Sequence, residues 1–322
     1  MKKIGGKVLV VFLVVLVVLA IYTFWDNNRI TVVKQDIAID DLPEQLDGFK
    51  ILQISDLHEK VFGKNQKKLI NAINSIEYDA IVFTGDMMDG VSSTNYKPFY
   101  TVLEGIKGKE HAWYVPGNAD PESYQVNQTI NKSEFVQGME KRGVTFLESY
   151  ETVSMDGATL SFVNFELSIG NVGIPNGIPK PSYASNKKYL TYQQGLLEEL
   201  NKAADLDVLI ALNHYPVVDS RIDHIEDATD LKLRDYDLLI TGHYHGGQIR
   251  LPFIGALFVP EAWYGNGGFF PPQDRVKGLW EYKGLKQYVS TGLGSSDAIS
   301  FLKFRLFNSP QINILTLKQE NG

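Results

Sequence analysis

Five short apolar runs in this chain each end on a polar residue able to bind a metal ion, and this repetition constrains the fold more than any other feature. FKILQIS at 49–55 is followed by Asp56 and His58, and DAIVFT at 79–84 by Gly85 and Asp86. HAWYVPGN at 111–118 runs through Val115 into Gly117 and Asn118. DVLIAL at 207–212 leads to Asn213 and His214, and YDLLIT at 236–241 leads to His243 and His245 in GHYHGGQ. Short, continuously apolar runs of this kind predict strands buried on both faces.

Helical spacing separates the runs. In KKLINAINSI (67–76), Leu69, Ile70, Ile73 and Ile76 fall on one helical face, and YLTYQQGLLEELNKAA (189–204) predicts a second helix. ITVVKQDIAI (30–39) alternates like a strand, and QINILTL (311–317) predicts a final, partly exposed one. Buried strands interleaved with helices predict a layered α/β fold. In such folds ligands gather at the carboxyl ends of strands, where the polar residues stand here. One His-x-His pair is weak evidence; five strand ends that each deliver a donor predict a distributed metal site.

Composition sets the chemistry of that site. The chain has 322 residues, 44% hydrophobic and 21% charged, enough for one large domain or two small ones. It has no cysteine, so any metal is held by His, Asp, Glu or Asn, and disulfides are excluded. Mixed nitrogen and oxygen donors suit Mn, Fe or Zn far better than calcium. Asp-x-His in SDLH lets two side chains from one strand exit meet one ion. Asp86 has two carboxylate oxygens and can bridge two ions.

Val8 to Trp25 contains no charge, and Lys2, Lys3 and Lys7 precede it. Its length approaches the roughly 20 residues of a bilayer-spanning helix. The positive-inside bias puts the N-terminus in the cytoplasm and the remainder outside. The rival reading is a cleaved signal peptide, but the run ends in Tyr, Thr, Phe and Trp rather than a small-x-small site. The expected organisation is therefore an anchor at 1–25, a connector and first strand at 26–44, and a catalytic domain at 45–318. The expected location is the cell membrane, single-pass, with that domain extracytoplasmic. The formal net charge is −7, and removing the three anchor lysines leaves −10 for the rest. That acidity disfavours a nucleic-acid partner.

The ordered set SDLH, TGD, PGNAD, NHYP and GHYHGGQ resembles the calcineurin-like metallophosphoesterase family, and within it the membrane-associated bacterial branch. The resemblance covers about residues 45–318. It implies a four-layer α/β/β/α sandwich, two metal ions, and hydrolysis of a phosphate ester by a hydroxide bridging them. It places one ion on Asp56, His58, Asp86 and His245, and the other on Asp86, Asn118, His214 and His243. Asp86, Asn118 and His243 are the expected catalytic residues, and a phosphorylated small molecule or lipid-linked compound is the expected substrate.

One position departs from the pattern. The histidine that usually follows the asparagine is Ala119, in PGNAD. A general acid contributes about 10²–10⁴ in rate. Outside the ligand set, His111, up to about 23 Å along a strand from Asn118, is a poor substitute, and His224 remains a candidate. Tyr244 stands where threonine is usual, with a phenol able to reach a phosphate. A competing reading is a metal-binding pseudoenzyme that binds a phosphorylated ligand without turnover. The aromatic segment at 253–272, FIGALFVPEAWYGNGGFFPP, reads either as a loop covering the sheet or as an apolar rim for acyl chains.

Overall fold

The computed structural model describes residues 2–170, 181–203, 207–296 and 302–320. A long helix, α1 (Lys2–Asn27), leads into β1 (Thr31–Ile39). Next come β2 (Lys50–Ile54), α2 (Lys67–Asn74), β3 (Ala80–Thr84), α3 (Lys97–Gly105) and β4 (Ala112–Val115). A ribbon of β5 (Tyr124–Val126) and β6 (Ile130–Lys132), then α4 (Glu134–Glu140) and β7 (Thr145–Phe146), complete the first half. The second half opens with β8 (Tyr150–Met155), β9 (Ala158–Asn164), α5 (Phe165–Ser168) and α6 (Lys187–Lys202). It continues with β10 (Val208–Leu212), α7 (Asp219–Asp227) and β11 (Leu238–Thr241). A small hairpin, β12 (Arg250–Leu251) and β13 (Gly255–Ala256), precedes β14 (Gly278–Tyr282), β15 (Leu285–Val289) and β16 (Gln311–Gln319). Residue 204, the last of the helix expected at 189–204, lies outside the described residues.

The strands form two six-stranded sheets, ordered β1-β16-β2-β3-β4-β7 and β14-β15-β11-β10-β9-β8. The strands that carry the polar termini are parallel within each sheet, β2, β3 and β4 in one and β10 and β11 in the other. Their carboxyl ends therefore open along one edge of each sheet. The sheets pack face to face through Ile51, Val82 and Trp113 on one side and Phe162, Ile210 and Ile240 on the other. Trp113 stacks on Phe162 with ring centroids 4.4 Å apart.

Helices cover the outer faces. Leu69 and Ile73 of α2, Phe99 and Val102 of α3 and Phe135 of α4 bury against the first sheet. Leu200 of α6 and Ile222 and Ile225 of α7 bury against the second. The result is a four-layer α/β/β/α sandwich: the layered α/β fold follows from the alternation of buried strands and helices, and the four layers are those the family resemblance implies.

The final strand differs from its expectation. β16 is an interior strand, parallel to β1 and antiparallel to β2. A polar residue such as Asn313 within an alternating run reads as partly exposed in sequence. Asn313 is buried, accepts from Ser290 Oγ at 2.6 Å and donates to the Tyr288 hydroxyl at 2.8 Å. Paired polar groups make burial tolerable.

Helix α1 has a 22-residue stretch, Gly6–Asn27, long and apolar enough to cross a membrane. The 253–272 segment divides between its two readings. Ala256 and Val259 are buried and Trp263 and Tyr264 pack beside them, whereas Phe253, Ile254, Phe269 and Phe270 face solvent.

Candidate metal centre

Five of the expected ligands occupy a backbone region that side chains avoid. Asp56, His58, Asp86, His243 and His245 all have positive φ, between 47° and 68°. Such residues each cost about 1–3 kcal/mol and persist where their surroundings over-determine them. The sharp turn after each strand redirects the chain so that side chains from separate strands converge.

Two glycines permit the close approach. A Cβ at Gly117 would lie 2.2 Å from Asp86 Oδ1, and one at Gly242 would lie 2.0 Å from Ser55 Oγ and 2.6 Å from Asp56 Oδ2. Of the three glycines of the GHYHGGQ block, Gly242 is the one pressed against a ligand, whereas Gly246 and Gly247 meet Thr291 and Ala256.

The converging donors form two groups that could each hold a metal ion. Asp56, His58, Asp86 and His245 make one, and Asp86, His214 and His243 make the other, all of them buried. Asp86 belongs to both. Its Oδ2 lies 3.5 Å from His58 Nε2 and 3.3 Å from His214 Nε2. His245 Nε2 lies 3.2 Å from His58 Nε2 and 3.6 Å from Asp56 Oδ1.

Asn118, the remaining expected ligand, sits between Gly117 and Ala119. The Ala119 N–H donates to Asp86 Oδ1 at 2.7 Å, which holds the Asn118 loop against the second group. Asn118 Oδ1 is buried with no hydrogen-bond partner among the described residues. A buried carbonyl oxygen of this kind suits a cation.

The histidine tautomers add a further test of fit. A backbone carbonyl only accepts, so His214 Nδ1 donates to Thr84 O at 2.8 Å and His243 Nε2 donates to Pro260 O at 3.1 Å. These carbonyls leave His214 Nε2 and His243 Nδ1 facing each other at 3.0 Å. Two neutral lone pairs at that distance repel unless a proton or a cation lies between them. Such outer partners commonly fix the orientation of metal-ligating imidazoles. The donor set therefore fits metal ions.

The charges agree with this picture. Burial penalises the His214 cation, but Asp86 and Asp56 outweigh it and push its pKa up to about 9. Burial, and then the His214 charge, hold His243 down to about 3. Burial raises Asp56 to about 6, with Asp86 adding to the rise and His214 opposing it. Burial works against ionised Asp86 too, yet the surrounding imidazoles, His214 first, hold it far below the usual carboxylate range.

Asp120 organises the turns around Asp86. Its Oδ2 accepts from the Asp86 N–H at 2.7 Å, the Tyr114 hydroxyl at 2.8 Å and the Gly117 N–H at 2.9 Å. Its Oδ1 accepts from the Met88 N–H at 2.9 Å. Arg305 and Asn308 donate to the His245 carbonyl at 3.1 and 2.6 Å. Asp120 stands in the PGNAD block, but nothing in the sequence near 305–308 points to the metal site. Tyr215 is a further residue that patterning missed. Its ring lies 4.5 Å from that of His243, and its buried hydroxyl has no partner among the described residues.

The candidate substitute acids fall elsewhere. His111 stacks on Trp113 at 5.9 Å, and His224 on α7 lies 5.3 Å from Trp263. Tyr244 does not reach toward a phosphate. Its side chain is buried in an apolar cluster with Val218, Val259 and Trp280, and its hydroxyl donates to Glu261. The strand-exit turn sends His243 and His245 to the site and Tyr244 away from it.

A layered α/β/β/α fold with two histidine and carboxylate groups sharing one aspartate is the arrangement that the metallophosphoesterase resemblance implies. The chain belongs to the calcineurin-like phosphoesterase family, whose pattern matches residues 49–247. It is similar to an uncharacterized metallophosphoesterase of Bacillus subtilis, YkuE, with 29% identity over 87% of this chain and 82% of that one. It is also similar to the Escherichia coli phosphodiesterase YaeI, with 27% identity over 84% of this chain and 82% of that one. A probable glycerophosphodiester phosphodiesterase of Arcobacter nitrofigilis, GpdQ, is 30% identical over 52% of this chain and 57% of its own length.

Metal loading should release protons. His214, raised to about 9, carries a proton at pH 7 in the metal-free chain, and a cation must displace it. Affinity should therefore rise with pH toward 9 and fall below it. Calorimetric titration at pH 7 in buffers of different ionisation enthalpy should give net release of about one proton or more per chain. Zero net release would contradict this protonation scheme.

Proposed function

We propose that this chain is a membrane-anchored phosphoesterase that hydrolyses a phosphate ester at two metal ions. Asp56, His58, Asp86 and His245 hold one ion, and Asp86, Asn118, His214 and His243 hold the other. The observation that carries this reading is the sharing of Asp86 Oδ2 between His58 and His214, at 3.5 and 3.3 Å. Two cations about 3.5–4 Å apart clamp a phosphoryl group and activate water. The cysteine-free donor set favours Mn, Fe or Zn.

The protein's own groups do the positioning. Pro260 O and Thr84 O hold His243 and His214 in the tautomers that present a free nitrogen. Asp120 ties the Asp86 and Asn118 turns together, so the two ligand groups keep a fixed separation. Ala119 supplies a backbone N–H to Asp86 and no proton donor for a leaving group. Substrates with good leaving groups are therefore favoured. Similarity to the phosphodiesterase YaeI and the probable glycerophosphodiester phosphodiesterase GpdQ supports a phosphodiester as the substrate. The run of Lys2, Lys3 and Lys7 before the apolar helix supports a retained anchor with the catalytic domain outside the cytoplasm.

Asp86→Ala should abolish activity and lower metal content from about two ions per chain toward zero, because removing the shared carboxylate leaves two like charges unscreened. Elemental analysis of the purified variant measures this; two ions at undiminished affinity would refute the ligand assignment.

Ala119→His should speed alkyl phosphoesters by about 10²-fold while changing aryl esters little, because the general acid matters most for poor leaving groups. Rates across a leaving-group series, with metal content as the control, test this. A chain inert to every ester that still binds a phosphorylated ligand would be the pseudoenzyme that Ala119 otherwise suggests.

For topology, protease added to intact cells with a permeabilised outer envelope should digest the catalytic domain. Protection there, with digestion only after lysis, would reverse the orientation.

A further inference from the structure

The anchor helix ends against the metal site rather than away from it. Asn27 Nδ2 donates to Arg305 O at 2.7 Å, and the Arg305 N–H donates to Asn27 Oδ1 at 2.8 Å. Beside this clasp, Asp26 Oδ1 accepts from Arg29 Nε and Ser309 Oγ, each at 2.6 Å. Tyr22 packs on Phe307 with centroids 5.4 Å apart.

Arg305 itself is fully buried. Its guanidinium donates to the carbonyls of Gly294 at 2.6 Å, Thr291 at 2.7 Å, Asn308 at 2.8 Å and His245 at 3.1 Å. The helix end, Arg305 and His245 thus form one hydrogen-bonded unit, and the helix holds a fixed position relative to the ligands.

A cleft of about 920 Å³ opens between them. Leu19, Ala20, Thr23 and Phe24 of α1 form one wall. His58, Lys60, Asp89 and Lys303 stand on the other. At 1.5 Å rise per residue, Leu19 lies roughly 12 Å along the helix from Asn27. In a bilayer-crossing helix that depth runs from the headgroup zone into the upper acyl region. The cleft therefore has an apolar wall at acyl depth, and facing it a charged wall that carries a candidate metal ligand. Its acidic groups are engaged, Asp89 by Lys303 and Glu59 by Ser93 and Asn95.

A separate feature agrees with a membrane at this face. The Arg250 N–H donates to Leu306 O at 3.0 Å, which ties the β12–β13 hairpin to the segment that seats the helix. At the tip of that hairpin Phe253 is wholly exposed and Ile254 half-exposed, and Phe307 beside Leu306 is 40% exposed. Exposed apolar side chains such as Phe253 and Ile254, beside the Phe307 that Tyr22 partly covers, mark a membrane or partner surface, and the clasped helix makes the bilayer the cover.

We propose that this cleft admits the phosphorylated headgroup of a lipid still embedded in the bilayer. Its acyl chain lies along Leu19 to Phe24, and its phosphate points toward His58 between Lys60 and Lys303. This substrate assignment rests on the phosphoesterase reading of the same site. The reaction is hydrolysis: water oxygen bonds to phosphorus, the bond from phosphorus to the leaving oxygen breaks, and the leaving alcohol takes up a proton from that water.

The test uses the full chain in phosphatidylcholine nanodiscs. Two chromogenic diesters, 4-nitrophenyl hexadecyl phosphate and 4-nitrophenyl ethyl phosphate, share the reacting group and differ in the alkyl chain. The hexadecyl ester should be cleaved at least about tenfold faster, a preference worth about 1.4 kcal/mol. Ala20→Trp, at an exposed helix position where the larger side chain fills the cleft without disturbing a core, should bring the ratio of the two rates close to one. Equal rates in the parent chain, or a preference that Ala20→Trp leaves intact, overturn the lipid assignment and leave the phosphoesterase reading standing.

A second arm needs no turnover. Acetylation of Lys303 is followed by mass spectrometry in nanodiscs with and without phosphatidic acid. Phosphatidic acid should protect Lys303 several-fold, inorganic phosphate at the same concentration should not, and Ala20→Trp should remove the protection. No protection by phosphatidic acid, or equal protection by inorganic phosphate, overturns the proposal. Protection with neither ester cleaved supports the lipid cleft and removes the phosphoesterase reading.

Discussion

The carboxylate of Asp86 is the contact on which the rest of the centre depends. One oxygen faces an imidazole of each ligand group, and the other accepts the Ala119 N–H. Its own backbone N–H is held by Asp120, which also holds the turn before Asn118. A carboxylate so deep in the protein is costly unless positive charge surrounds it. Here the imidazoles hold it ionised, and the same charge pattern that keeps Asp86 anionic attracts cations to both of its sides.

The inter-sheet core makes that contact possible. The histidines and carboxylates belong to two different sheets, and only the face-to-face packing of Trp113, Phe162 and their neighbours brings the two edges together. Gln53 adds a polar tie near the strand ends, donating to Thr84 Oγ1 at 2.8 Å and Thr241 O at 2.7 Å. Left-handed backbone at five candidate ligand positions and the bare backbone of Gly117 and Gly242 cost stability locally. A rigid sandwich of buried strands offsets that strain, so the site is preorganised rather than assembled by its ligands.

Arg305 joins the end of helix α1 to the candidate metal centre. A buried cation with four carbonyl partners and, among the described residues, no carboxylate in hydrogen-bond contact is costly. Its position explains the expense physically, since it links the helix end to the carbonyl of His245. A change in helix seating is thereby felt at a candidate ligand, and the cleft beside it keeps one shape.

The sequence by itself determined the strands that end on a donor, the helices α1, α2 and α6, and the chemical type of the site. Each strand end carries its donor within a few residues, and strand-end placement follows from local periodicity alone. Asp56, His58, Asp86, His214, His243 and His245 were legible for that reason. Residues that act across long sequence separations were not. Nothing around Arg305 or Asn308 signals a partner sixty residues earlier, and the Tyr244 phenol could not be directed without knowing the turn that carries it into the apolar cluster. The alternation of β16 likewise concealed an interior strand, because the burial of Asn313 depends on Ser290 and Tyr288 across the sheet interface. Periodicity reports which face of an element is apolar; which polar groups find partners inside is decided only when the two sheets and the helix end come together.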